Sequence, residues 1–101
     1  MSFTLNDLSK NLRDFWSSGG RNTSKINANC AKRLRLALVH LFYARSQGDI
    51  ANPAPKDWRF HKLQGYANRY SIDVTGNARL HFDIVDPDNG IVADIIFTDP
   101  H

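Results

Sequence analysis

Glutamate is absent from this chain of 101 residues. Every carboxylate side chain is an aspartate, so side-chain acid–base chemistry rests on Asp and His. Cys30 is the only cysteine, which excludes a disulfide framework within the chain and argues against a cysteine-based zinc site. It falls on the apolar stripe of an expected helix and is read as a small buried hydrophobe. No apolar run approaches the roughly 20 residues that span a bilayer. Met1-Ser2-Phe3-Thr4-Leu5 shows no basic region followed by an apolar stretch, so neither a membrane span nor a signal peptide is expected. Phosphate-loop, dinucleotide, H-E-x-x-H and nucleophile-elbow motifs are all missing. The expected setting is reducing and cytoplasmic.

What is present fits one domain over 1–101, with a helical half (1–48) and a sheet half (56–101). A core of this size leaves room for a shallow groove or an exposed sheet face, not a deep cleft. The formal net charge is +3, unevenly spread. Residues 1–48 carry Lys10, Arg13, Arg21, Lys25, Lys32, Arg33, Arg35 and Arg45 against Asp7 and Asp14, whereas Asp83, Asp86, Asp88, Asp94 and Asp99 come late. A basic helical half suits a nucleic-acid or ribosome partner; it also describes a solvated helix face, and from charge alone that plainer reading is the better.

Leu5, Leu8, Leu12 and Phe15 fall at helical spacing, with Asn6 or Asp7 as cap and Ser17-Ser18-Gly19-Gly20 as stop. A second helix is expected over 27–46, with Cys30, Leu34, Ala37, Leu38 and Leu41 as its apolar stripe and Gly48 closing it. Lys32, Arg33 and Arg35 lie off that stripe. Asn52-Pro53-Ala54-Pro55 cannot continue a helix. The period then changes to two. Ile72 and Val74 alternate with Ser71 and Asp73, Thr75-Gly76-Asn77 signals a hairpin, and Leu80, Phe82 and Ile84 alternate with Arg79, His81 and Asp83. Asp86-Pro87-Asp88-Asn89-Gly90 is a second turn. Ile91 to Thr98 is apolar almost throughout and reads as a central strand. The fold class is α+β, two N-terminal helices on one face of a small, mainly antiparallel sheet.

Alternation puts Arg79, His81 and Asp83 on the face away from the helices. That also describes an ordinary solvated face. His61, flanked by Arg59 and Lys62, can hold or release a proton near neutral pH, and nearby cations favour its neutral form; a surface histidine on an edge strand is the plainer alternative. His101 follows the last strand, and His40 in the second helix reads as structural or solvent-facing. The spacing of His61, His81 and His101 is not a metal-ligand pattern. Trp16 and Trp58 read as packing residues.

The chain resembles the HigB-type toxins of the RelE/ParE superfamily, also called plasmid maintenance killer proteins. Ala31-Lys32-Arg33-Leu34-Arg35 is similar to the family's Ala-Lys-Arg-Leu-Arg. Trp58-Arg59-Phe60-His61, with Leu63 and Gly65, is similar to Trp-Arg-Leu-His-Pro-Leu-Lys-Gly. Tyr70-Ser71-Ile72 through Asn77, Arg79 and Phe82 is similar to the family hairpin, and Asp99-Pro100-His101 to its terminal Asp-Tyr-His. Gln64 stands where the family has Lys, and Pro100 where it has Tyr.

The resemblance implies a RelE-like fold and the toxin of a type II toxin–antitoxin system, a metal-independent mRNA interferase without cofactor that acts on the translating ribosome. It implies a helix-turn-helix antitoxin as partner, operator DNA contacted only through that antitoxin, and no membrane. The catalytic residues it implies are His61, Arg79, Asp99 and His101, with Lys62, Gln64, Arg59, Lys32, Arg33 and Arg35 as RNA contacts. Arg79 suits bidentate contact with phosphate. His61 and His101 are the acid and base, in either order; Asp99 orients a histidine or takes part directly. Two rivals share the superfamily fold: a gyrase-inhibiting toxin that needs neither histidine, and a degenerate module that binds antitoxin or RNA without cleavage.

Overall fold

Pleating and turn chemistry in the second half of the chain build the sheet. The structure is a computed structural model describing residues 2–51 and 58–99; the expected linker Asn52-Pro53-Ala54-Pro55, Pro100 and His101 lie outside them. Strands β1 (His61–Lys62), β2 (Arg69–Thr75), β3 (Ala78–Asp86) and β4 (Ile91–Thr98) form an antiparallel meander in sequence order. Gly76 and Asn77 alone join β2 to β3, with Gly76 at φ +52, as the hairpin signal requires. Ile72, Leu80, Phe82 and Ile84 are buried, and Arg79, His81 and Asp83 are only partly so, as alternation predicts.

Among the described residues three α-helices accompany the sheet: α1 (Lys10–Ser17), α2 (Ala31–Tyr43) and the short α3 (Gln47–Ala51). Cys30, Leu34, Ala37, Leu38 and Leu41 are all buried, so the expected stripe of α2 is the one that packs. Leu12 and Phe15 of α1 join the same core. Trp58 is buried and Trp16 partly so, both in packing roles.

Three expectations need correction. Leu5 does not belong to the first helix. Leu5–Asp7 is a 3-10 turn in which the Asp7 carboxylate accepts Thr4 N–H at 2.8 Å, and α1 starts only after Ser9. The backbone at Leu8 and Ser9 is instead spent on β4: Leu8 bridges Ile95 in parallel, and Ser9 N–H donates to the Ile95 carbonyl at 2.9 Å. Likewise α2 ends at Tyr43, because Ala44 is extended, and Gly48 lies inside α3 rather than closing α2. Finally, β4 is the last strand, not a central one. Its apolar character has another source. The N-terminal segment shields its outer edge through Leu8, Ser9 and a 2.9 Å bond from Val92 N–H to the Ser2 carbonyl.

Gly90 ties the sheet to the helices. It sits at φ +68, and a Cβ there would lie 2.7 Å from Ser46 N and 3.0 Å from Arg45 C, both backbone atoms that cannot step aside. Gly76 at φ +52 has open space instead. Gly76→Ala should therefore cost only the left-handed backbone penalty of about 1–2 kcal/mol. Gly90→Ala should add an overpacking cost of roughly 1–3 kcal/mol. Urea denaturation of both variants checks the order; equal losses would mean the α2–α3 connection yields freely.

Candidate functional site

Cross-strand pairing brings the two histidines of the sheet into one row. His61 pairs with Ser71, Ser71 with His81, and His81 with Ile96, so these four residues share the face away from the helices. Neighbouring strands lie about 4.8 Å apart, which sets the backbones of His61 and His81 roughly 10 Å from each other with Ser71 between them. Two imidazoles so placed can flank a group of phosphodiester size. Ser71 is buried, and its hydroxyl has no hydrogen-bond partner among the described residues.

Guanidiniums border the row on both sides. Above it Arg69 pairs with Asp83 at 2.9 Å and donates to the Asp94 carbonyl at 3.1 Å. Below it Asp73 lies between two arginines: Arg59 Nε donates to Oδ2, and Arg79 Nε lies 2.8 Å from Oδ1 at an angle too bent for a hydrogen bond. Arg79 also donates to the Gly76 carbonyl at 2.6 Å and the Ala78 carbonyl at 3.0 Å, so it braces the hairpin. Three guanidiniums thus face two carboxylates.

The imidazoles differ in surroundings. His61 is exposed, and its Nδ1 lies 2.6 Å from the Arg59 carbonyl. A carbonyl only accepts, so Nδ1 carries a proton and Nε2 is left to take up or give one. His81 is pushed below the ordinary histidine pKa, first by burial, then by Arg69, His61 and Arg79. It is a neutral imidazole at pH 7, suited to accept a proton. His40 has a structural task, with Nε2 donating to the Ile50 carbonyl at 2.9 Å.

The structure brings together only part of the expected site. His61, Arg79 and Arg59 share the histidine face. Lys62 pairs with Tyr70, itself opposite buried Phe82, so pleating sends it to the other face. Gln64 is exposed in the loop after β1. Asp99 follows β4 and accepts the Cys30 thiol at 3.8 Å near the start of α2; burial and that carboxylate push the thiol pKa up. Lys32 and Arg35 are exposed on α2, where Arg35 donates to the Gly19 carbonyl at 3.1 Å. Arg33 lies 5.7 Å from the Trp58 ring. His101 lies outside the described residues. Among those, no group of three or more His, Cys, Asp or Glu side chains is arranged to hold a metal ion. Also among them, no helix is long and apolar enough to cross a membrane.

Neither a protein-family model nor a curated protein matches the chain.

Sequence reading gave no site role to Ser71, Arg69 or Asp73. Their signal is register, since each pairs with a residue of β3 on the histidine face. His81, visible by alternation, moves from neighbour to centre.

The depressed pKa of His81 has a consequence for stability. Protonating it costs more in the folded chain than in the unfolded one. Its contribution is full above the ordinary value of 6.5 and is lost as pH falls through the lower folded value. Denaturant titrations at pH 8 and pH 5 should show the wild type losing more stability on acidification than His81→Gln. Equal losses would mean that the imidazole is not desolvated.

Proposed function

We propose that this protein is a metal-independent endoribonuclease, the toxin of a type II toxin–antitoxin pair with a RelE-like fold, cutting messenger on the ribosome in the cytoplasm. The observation that carries the reading is the row His61–Ser71–His81, two imidazoles on one sheet face, one exposed and one partly buried, bordered by three arginines. The α+β class and the motif order agree with it.

Cleavage of RNA without metal uses the ribose 2′-OH as nucleophile. Neutral His81 takes the 2′ proton as the 2′ oxygen bonds to phosphorus. The bond from phosphorus to the 5′ oxygen breaks, and His61 Nε2 delivers a proton to that leaving oxygen. The products are a 2′,3′-cyclic phosphate and a 5′-hydroxyl. Arg59, the most exposed of the three guanidiniums at 65%, is the one free to turn from Asp73 to the phosphate. Positioned proton transfer is worth about 10²–10⁴-fold for each group, and charge stabilisation on the phosphorane is often the larger contribution. A shallow face gains from a ribosome that holds the messenger in reactive geometry. The partner is a helix-turn-helix antitoxin, through which alone operator DNA is contacted.

One observation favours a second reading, a module that binds RNA or antitoxin without cutting. Arg79, which the resemblance assigns to the phosphate, commits Nη1 to the Gly76 and Ala78 carbonyls and lies with Nε against Asp73.

Primer extension on messenger from a bacterial host, after induction of wild type, His61→Ala and His81→Ala, separates these readings. New in-frame 5′ ends should appear with the wild type and fall about 10²–10⁴-fold with either variant. No new ends with growth arrest in all three would point to gyrase or another protein target. No ends and no arrest, with soluble protein present, would favour the binding module.

A further inference from the structure

A cavity of about 620 Å³ opens beside the histidine row, between the N-terminal turn, the β1–β2 loop and the middle of β4. Its size lies within the range of small-ligand sites. It is continuous with the row, because Arg69 lines it and acts on His81, and Ile96 lines it and pairs with His81. Tyr66 is 59% exposed at its wall and Ile96 is 42% exposed, an aromatic face and an apolar one left uncovered.

Its charge is opposite to that of the row. Asp7, Asp83 and Asp94 line it against Arg13 and Arg69, so carboxylates outnumber guanidiniums. Arg13 donates to the Leu8 carbonyl, and Arg69 is paired with Asp83. Asp94 is the residue out of the ordinary. It takes φ +50 in a β-bulge, where two residues of β4 stand opposite Phe82. Its carbonyl accepts Arg69, while its carboxylate has no partner among the described residues. Bulges beside functional sites commonly re-aim a side chain.

We propose that this cavity is a nucleobase subsite that stacks a base on Tyr66 and selects bases with an exocyclic amine, guanine best. Phosphate is disfavoured here by the carboxylates and favoured on the adjoining row. Guanine offers two adjacent donors, N1–H and the 2-amino group, that match one carboxylate bidentately. Adenine and cytosine offer one amino group. Uracil offers N3–H between two carbonyl oxygens that a carboxylate repels. The subsite rests on the reading of the row as the place of the scissile phosphate, and it adds which base lies next to it.

NMR titration of labelled protein with GMP, AMP, CMP and UMP tests this without any cleavage step. Shifts should centre on Tyr66, Asn68 and Ile96, with GMP binding roughly 5- to 150-fold tighter than UMP, the range for a bidentate base contact. Tyr66→Ala should weaken all four by a similar factor, the range for one base–aromatic stack, and Tyr66→Phe should retain binding. Asp94→Asn keeps a side chain that tolerates positive φ and should abolish the preference for GMP over UMP. No shifts at millimolar nucleotide, shifts confined to the histidine row, equal binding of the four, or indifference to Tyr66→Ala would each overturn the subsite. Primer extension would still decide the nuclease reading separately.

Discussion

Successive side chains of a strand point to opposite faces, so the register between β2 and β3 decides which residues can act together. The two-residue turn pairs Thr75 with Ala78, and that register carried onward would set Ile72 opposite His81. An apolar residue would then face solvent beside the imidazole, and Ser71 would turn to the core. One extra residue on β2, Val74, prevents this. Beyond it Asp73 meets Arg79, Ser71 meets His81 and Arg69 meets Asp83. The histidine row, the ion pairs beside it and the apolar inner face all follow from that bulge.

Electrostatics then works on a frame already fixed. Asp73 and Asp83 hold the arginines against the sheet, and the excess of cation over carboxylate acts on what lies between. His81, partly buried there, loses its proton first to desolvation and then to its cationic neighbours. His61 stands exposed at the edge, oriented through Nδ1 by a backbone carbonyl. Two identical side chains thus sit in different environments, one exposed and held by a backbone carbonyl, the other desolvated beside cations. The exposed Arg59–Asp73 pair is open to solvent screening and exchanges partners at little cost.

Much of the fold was legible. Period-two alternation gave β2, β3 and the faces of β3, and a nearly continuous apolar run gave β4; the hairpin turn at Gly76-Asn77 and the α2 stripe also stood. The start of the first helix misled, since Leu5 and Leu8 fit helical spacing while their backbone is recruited elsewhere, Leu8 to the edge of β4. The position of β4 misled for the same cause, as a segment distant in sequence gives an edge strand the burial of a central one. Of the candidate site, His61, Arg59 and Arg79 were found from the residues and their likeness to a family motif. Lys62 was not separable from them until pleating placed it on the other face. Asp99 was named from the likeness to the family's terminal Asp-Tyr-His, and in the structure its carboxylate accepts the Cys30 thiol near the start of α2.

Backbone strain singles out the same region by an independent route. Among the described residues only Arg59 and Asp94 combine a side chain beyond glycine with positive φ, at +47 and +50. Such a conformation costs an L-residue about 1–2 kcal/mol, and it persists only where the surroundings over-determine it. Both carbonyls have a task at the row. That of Arg59 accepts His61 Nδ1 and so fixes the tautomer. That of Asp94 accepts Arg69, a cation that acts on His81. One strained residue orients the exposed imidazole from the β1 end; the other, from the β4 end, helps to hold a cation that adds to the effect of burial on the inner imidazole. Releasing either constraint would free one imidazole or one cation of the row, so the two strained backbones serve the same face from opposite edges.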